Sequence, residues 1–310
     1  MDRNGPGGVV LTGAAHIALF LLFGPLLSGI VRKTKAFLSC RRGAPVFQPY
    51  LDLGKLFRRG IVRSTTASWV FDLSAPVVLG ASLVLAAATP LWSRDVPLPM
   101  HFLLFLYLMA LPRFFQTLAG LDTGSAFGGL GSSREVAVSA MAEPALLLSL
   151  CGLAYLGGAD TVSGMVAGVP PGHLLLRPEV ILLAGTLFLL LLAENARIPV
   201  DDPATHLELT MIHEAMVLDH AGVDLAMIQL ASSVRLAVFS ALVSGTLFPQ
   251  TLSLAPVLAI PAAAGKILLC GTLIGAVEAG TARMRLSRVA SYLLVATVLA
   301  AIALAVRFAG

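Results

Sequence analysis

The chain has 310 residues, of which 57% are hydrophobic and 12% charged, and its mean hydropathy is +0.88. An ordinary soluble domain carries about 25% charged residues, so this chain lacks the charge to cover a water-facing surface. Soluble, disordered, fibrous and disulfide-stapled classes are excluded, and the net charge of +4 follows membrane topology rather than nucleic acid.

A spanning helix needs roughly 20 mostly apolar residues. Eight segments qualify: about 9–31, 73–92, 100–121, 136–157, 179–193, 223–249, 254–277 and 289–308. The fifth is short, with flanks able to extend it. The first is too long for the apolar core of a signal peptide and has no small-residue cleavage site before Arg32, so it is retained as a helix. The loops after spans one, three, five and seven hold 14 Lys and Arg, against four on the opposite face and termini. That bias puts both termini outside and the long loops in the cytoplasm of a cell-membrane (inner-membrane) protein. The predicted fold is all-α and polytopic, with a long basic first loop, a long acidic fifth loop, and one integral domain over 1–310.

The first loop, RKTKAFLSCRRGAPVFQPYLDLGKLFRRGIVR, carries nine basic residues. Retention of positive charge inside and attraction to anionic lipid explain part of it. The string Arg41-Arg42-Gly43-Ala44-Pro45, then Gln48-Pro49-Tyr50, is more structured than a polybasic tail. Asp52, Lys55 and Leu56 belong to an amphipathic run whose apolar side is Leu51, Leu53, Leu56 and Phe57, which predicts an interfacial helix docked under a partner.

Arg113, Glu143, Arg235 and Lys266 stand inside spans, where a charge costs about 2.5–3.5 kcal/mol even on lenient scales. Glu143 is seven residues into its span and is predicted buried, and Glu278 closes the seventh. These residues either pair as structural ions or form a polar path; their spread over four helices favours the path. Gly124–Gly131 (GSAFGGLG) follows no strand, which argues against a phosphate-cradling loop.

The densest chemistry is the fifth loop, ENARIPVDDPATHLELTMIHEAMVLDHAG, residues 194–222. It holds Glu194, Asp201, Asp202, Glu208, Glu214 and Asp219 with His206, His213 and His220. Pro199 and Pro203 make 198–203 irregular, and from Ala204 the residues suit a helix that would align the three histidines. His213-Glu214 is half of a zinc-protease HExxH, but Val217 fills the second histidine position. A three-histidine metal site and a solvated acidic loop are the other readings. A proton relay or quinone-head site explains both the acids and the interleaved prolines and apolar residues, since clustered carboxylates raise one another's pKa toward neutrality. Cys40, Cys151 and Cys270 have no metal-ligand spacing, so no metal site and no catalytic residue is assigned.

The strings RKTKAFLSCRRGAPVFQPYLDLGKLF, LGSSREVAVSAMAEPALL and AENARIPVDDPATHLEL resemble subunit 1 of respiratory NADH:quinone oxidoreductase. They resemble more closely its homologue in energy-converting (group 4) hydrogenases, the membrane subunit 4 of formate hydrogenlyase and hydrogenase-4. The similarity runs in register from about Arg32 to Arg288. Arg41, Arg42, Gly43, Pro45, Arg134, Glu143, Glu194, Arg197, Pro199, Asp201, Pro203, Glu208, Lys266, Arg283 and Arg285 match both branches. DDPATHLELTMIHEAM, Arg113 with Phe114-Phe115, LDTGSAFGG and Glu278 before ARMR match the hydrogenase branch. The resemblance implies that Glu143, Glu194, Asp201 and Glu208 belong to an acidic chain linking a redox arm to antiporter-like subunits. Respiratory relatives carry a glutamate just before the basic cluster closing span one; Ser28–Val31 has none, which counts against a quinone tunnel.

The expected function is a non-catalytic, membrane-anchoring, proton-conducting subunit of a formate hydrogenlyase-like membrane-bound hydrogenase complex. Its proton path comprises Arg113, Glu143, Glu194, Asp201, Asp202, Glu208, Glu214, Arg235, Lys266 and Glu278, and Arg41, Arg42, Asp52 and Lys55 dock the peripheral arm. Partners are hydrogenase large and small subunits, iron-sulfur subunits, antiporter-like membrane subunits and lipid, with no nucleic acid. No cofactor is bound by this chain; nickel-iron and iron-sulfur centres sit in the partners. The alternatives are the quinone-site subunit of a NADH:quinone oxidoreductase-type complex and a free-standing transporter, the latter disfavoured because inverted repeats are not evident.

Overall fold

Apolar stretches punctuated by prolines and charges fold into helices connected by short irregular segments. The computed structural model describes residues 6–169, 177–202 and 211–309. Among these residues there are eleven α-helices and no β-strand: α1 Pro6–Leu38, α2 Gln48–Leu56, α3 Trp69–Ala88, α4 Phe102–Asp122, α5 Ala126–Gly157, α6 Val162–Gly168, α7 Pro178–Glu194, α8 His213–Val217, α9 Gly222–Leu247, α10 Pro256–Gly280 and α11 Leu286–Ala309. Seven of them are long and apolar enough to cross a membrane. The remaining expected span, the fifth, is α7, which has only 17 residues and a largely buried surface.

Three boundaries differ from expectation for identifiable reasons. α3 starts at Trp69 because the Ser68 side chain caps it by accepting from the Val70 N–H, and it stops at Ala88, two residues before Pro90. α5 begins ten residues before the predicted 136, capped by the Ser125 hydroxyl. Gly128, Gly129 and Gly131 of the segment that reads as a loop are helical, and Gly128 lies against the Gly120 carbonyl of α4 where a Cβ would not fit. The helix expected from Ala204 does not run through the fifth loop: 203–210 lie outside the described residues, and α8 covers five residues before the chain turns at 218–219. His213 and His220 therefore do not share one continuous helical face.

α9 is central, packed by α1, α3, α7 and α10, while α5 packs on α4, α7 and α11. Leu27, Phe105, Leu146, Leu150 and Leu187 are fully buried in the shared core. α2 turns back under α1 and α9 with Pro49 and Leu53 buried, whereas Leu51 and Phe57 of its predicted apolar side face outward. Gly29 permits this docking, because the Val46 carbonyl occupies the space of a side chain there. Tyr50 donates to the Leu22 carbonyl, and burial raises its phenol above the ordinary range.

Candidate functional site

α7 is about 25 Å long, short of the ~30 Å hydrocarbon core, and ends at the buried Glu194. The irregular segment that follows is largely buried in protein, the condition under which such backbone is tolerated at membrane depth. Arg113 of α4 donates from Nη1 to Glu194 Oε1 at 2.7 Å, and its Nη2 lies 3.8 Å from Glu143 Oε1 of α5. Arg235 of α9 donates to the Glu194 backbone carbonyl at 3.4 Å, placing a cation at the negative C-terminal end of α7. Four expected ionisable residues, Arg113, Glu143, Glu194 and Arg235, thus meet at the end of one short helix.

A second cluster sits at the membrane surface on the basic-loop side. Asp201 is buried and pairs with Arg283 at 2.7 Å, while its other oxygen accepts the backbone N–H groups of Ile212 and His213. Met284 N–H donates to the Pro199 carbonyl, and Arg134 of α5 donates to the Met211 carbonyl. These contacts hold both described ends of the fifth loop in one place. Lys35 of α1 lies 3.8 Å from Asp202 and 3.6 Å from Glu278, and Arg197 lies 3.5 Å from Glu278. Burial lowers the Arg197 pKa, opposed by the neighbouring Glu278 carboxylate. The nine-residue stretch from Glu194 to Asp202 joins the deep cluster to this one.

Several expected positions need correction. Glu143 is not buried: its side chain is 49% exposed, and among the described residues its ion-pair partner is Arg113 of α4. Lys266 stands apart from both clusters and donates to the Thr251 hydroxyl in the 3-10 turn Pro249–Ser253. Glu208 lies outside the described residues. Glu214 lines a cavity of about 120 Å³ together with Ser28, Asp52, Asn195, Arg197 and His213. Arg41, Arg42 and Lys55 are exposed, and Asp52 accepts from Gln48 at 2.8 Å within α2.

One member of the deep cluster escaped sequence reasoning. Glu135 of α5 lies within electrostatic reach of Arg113, Glu194, Arg235 and Asp201. Placing the helix start at the Ser125 cap, rather than after the glycines, would have put Glu135 on the same helix as Glu143, two turns earlier. Two fifth-loop histidines are held neutral: burial, assisted by Arg235, lowers His213 to about 4, and burial lowers His220 to about 4 against the opposing effect of Asp219, while His206 lies outside the described residues. His220 stacks on Phe71 with ring centroids 4.0 Å apart, which ties the loop to α3.

The chain matches the family model described as NADH dehydrogenase over residues 11–309. It is 32% identical over 286 residues to hydrogenase-4 component C of Escherichia coli, a match covering 90% of each chain. Formate hydrogenlyase subunit 4 of the same organism is 42% identical over 143 residues, 46% of this chain and 47% of that one. Among solved structures, a chain of the membrane-bound sulfane sulfur reductase, an archaeal respiratory membrane complex, superposes with a TM-score of 0.81 at 20% identity over 96% of this chain and 99% of that one. The last likeness is one of fold.

Proposed function

Because the chain belongs to the NADH dehydrogenase family, we propose that it is the membrane-anchoring, ion-conducting subunit of a multisubunit hydrogenase-like complex of the formate hydrogenlyase kind. The observation that carries this reading is the run of charge from Glu143 through Arg113 to Glu194, continued by the buried segment to Asp201, Asp202, Lys35 and Glu278. A charge change beside the surface cluster would reach the deep carboxylates through this run. Redox centres belong to partner subunits seated over Arg41, Arg42, Asp52 and Lys55, and antiporter-like subunits continue the path from the exposed Glu143. Both termini lie outside and the basic loop faces the cytoplasm of the inner membrane, as the Lys and Arg bias favours.

The cavity beside Ser28 supports this reading over a quinone site. Its volume of about 120 Å³ is below the ~300–1,000 Å³ of small-molecule sites, although Leu53, Val217, Leu225 and Ile228 share its lining with the charged and polar groups. Purified complex is expected to pass electrons to protons, or take them from hydrogen, without added quinone, and to change internal pH in sealed vesicles as it does so. Strict dependence on quinone, with inhibition by quinone-site blockers, would replace this reading with the quinone-type one.

A further inference from the structure

The run of charge between Glu194 and Glu143 passes through Arg113. A guanidinium keeps its proton at every physiological pH, so Arg113 transmits an electric field but hands on no proton. A proton needs a way around it, and α5 supplies the groups for one. Glu135, Ser139 and Glu143 follow one another at four-residue spacing, which sets neighbouring Cβ atoms about 5–6 Å apart along one side of the helix. Each step also turns by about 40°, because four residues exceed the roughly 3.6 of one turn. The series therefore starts beside the buried stripe of Gly131, Val138 and Ala142 and ends at the half-exposed Glu143.

The middle residue is uncommitted. Ser74, Ser82, Ser149 and Ser240, buried in other turns of the helices, each return the hydroxyl to a carbonyl three or four residues earlier, at 2.7–2.8 Å. Ser139 Oγ is buried as well, yet among the described residues it makes no hydrogen bond. A hydroxyl donates and accepts at once, which is what a relay between two carboxyl groups requires. The first residue looks toward the fifth loop. One turn before Glu135, Gly131 packs on Ala215 and the Ile212 carbonyl, and the adjacent Arg134 holds the Met211 carbonyl. The Ile212 N–H donates to Asp201, and Asp201, Glu194, Arg113 and Arg235 all lie within electrostatic reach of Glu135. Among the described groups, the carboxylates Glu135, Glu143 and Glu194 share two cations, Arg113 and Arg235. A buried cluster neutralises such an excess of one negative charge by holding one proton. We infer that Glu135, Ser139 and Glu143 form a proton ladder on α5 that bypasses Arg113. In each transfer the Glu135 carboxyl gives its proton to Ser139 Oγ while the hydroxyl gives its own to the Glu143 carboxylate. The serine ends as it began, Glu135 is left ionised, and Glu143 holds the proton on the half-exposed side of the helix. The ladder rests on the ion-conducting reading of the chain.

The test uses the purified complex in sealed vesicles and reads protons translocated per hydrogen turned over. Ser139→Ala removes one hydroxyl and no charge, so the complex should assemble, and the ratio should fall about tenfold or more. Ser139→Thr keeps a hydroxyl at the same place and should retain most of the ratio. Glu135→Gln should match Ser139→Ala; if it fails to assemble, the two serine variants decide. Undiminished translocation in Ser139→Ala, or equal losses in the alanine and threonine variants, would overturn the ladder while leaving ion conduction by this chain in place. Absence of translocation in the unsubstituted complex would instead overturn the reading on which the ladder rests.

Discussion

Arg113 donates to the Glu194 carboxylate at 2.7 Å across 81 residues of sequence, and only 6% and 3% of the two side chains is exposed. Neither charge is tolerable alone in so buried a place. Removing the arginine strands a buried carboxylate, at a cost of about 3–5 kcal/mol. Arg113→Ala should therefore sharply lower the melting temperature or the yield of assembled complex, while Glu194→Gln, which keeps the size and hydrogen bonding of the side chain, should cost less. Arg113→Lys should rescue stability only partly, because a single ammonium replaces a two-pronged group that faces both Glu194 and Glu143. Thermal melts of the three solubilised complexes check the order.

Glu143→Gln and Glu208→Gln should assemble normally and lose most proton translocation, measured as pH change in sealed vesicles. Glutamine preserves volume and hydrogen bonding at either position but exchanges no proton. The exposed carboxylate of Glu143 adds a condition: the loss should appear in complexes that retain the proposed neighbouring membrane subunits, which would supply its cover. Undiminished translocation in both variants would reduce these carboxylates to structural roles.

Arg41 and Arg42 are exposed just beyond the end of α1, on the same side as the basic loop. Reversing both to Glu should release the peripheral subunits from membranes while the chain still inserts. A mild-detergent pull-down that recovers the whole complex from the double variant would end the docking assignment.

His220 gives a pH signature. Its pKa is about 4 in the folded chain, below the ordinary 6.5, so the unfolded chain takes up the proton first as pH falls. The stability this neutral histidine contributes is present above about pH 6.5 and is lost as pH falls toward 4, amounting to about 2 kcal/mol at pH 5. His213 acts in the same direction. His220→Phe keeps a ring against Phe71 and carries no proton, so its melting temperature should fall less than that of the unchanged complex between neutral pH and about pH 5. Equal falls would show that the proton taken up on unfolding is not that of His220.

The spans were legible because the bilayer demands runs of apolar residues, and Arg113 and Arg235 stood out as charges within such runs. What hydropathy does not encode is which side of a helix a neighbour covers. Glu143 was expected inside and lies on the flank, because its orientation depends on where α4 and α7 pack rather than on its distance from the span's start. Glu135 was hidden for a related reason: glycines that allow α5 to press against α4 and α8 look like a loop when read alone. The surface cluster brings together Lys35, Arg197, Asp202 and Glu278 from three distant parts of the chain, a convergence that only the fold creates.

The shortness of α7 also has an electrical meaning. With Pro178 at the opposite face of the membrane, a helix of about 25 Å leaves Glu194 about 5 Å inside a hydrocarbon core about 30 Å thick, so a proton reaching it from the basic-loop side would cross roughly a sixth of the transmembrane voltage. At about 2.3 kcal/mol per charge per 100 mV, that is about 0.4 kcal/mol per 100 mV. An unpaired charge brought within a few ångströms of the same carboxylate exerts several times more. A charge moved beside Glu194 therefore outweighs the polarisation of the membrane at that residue.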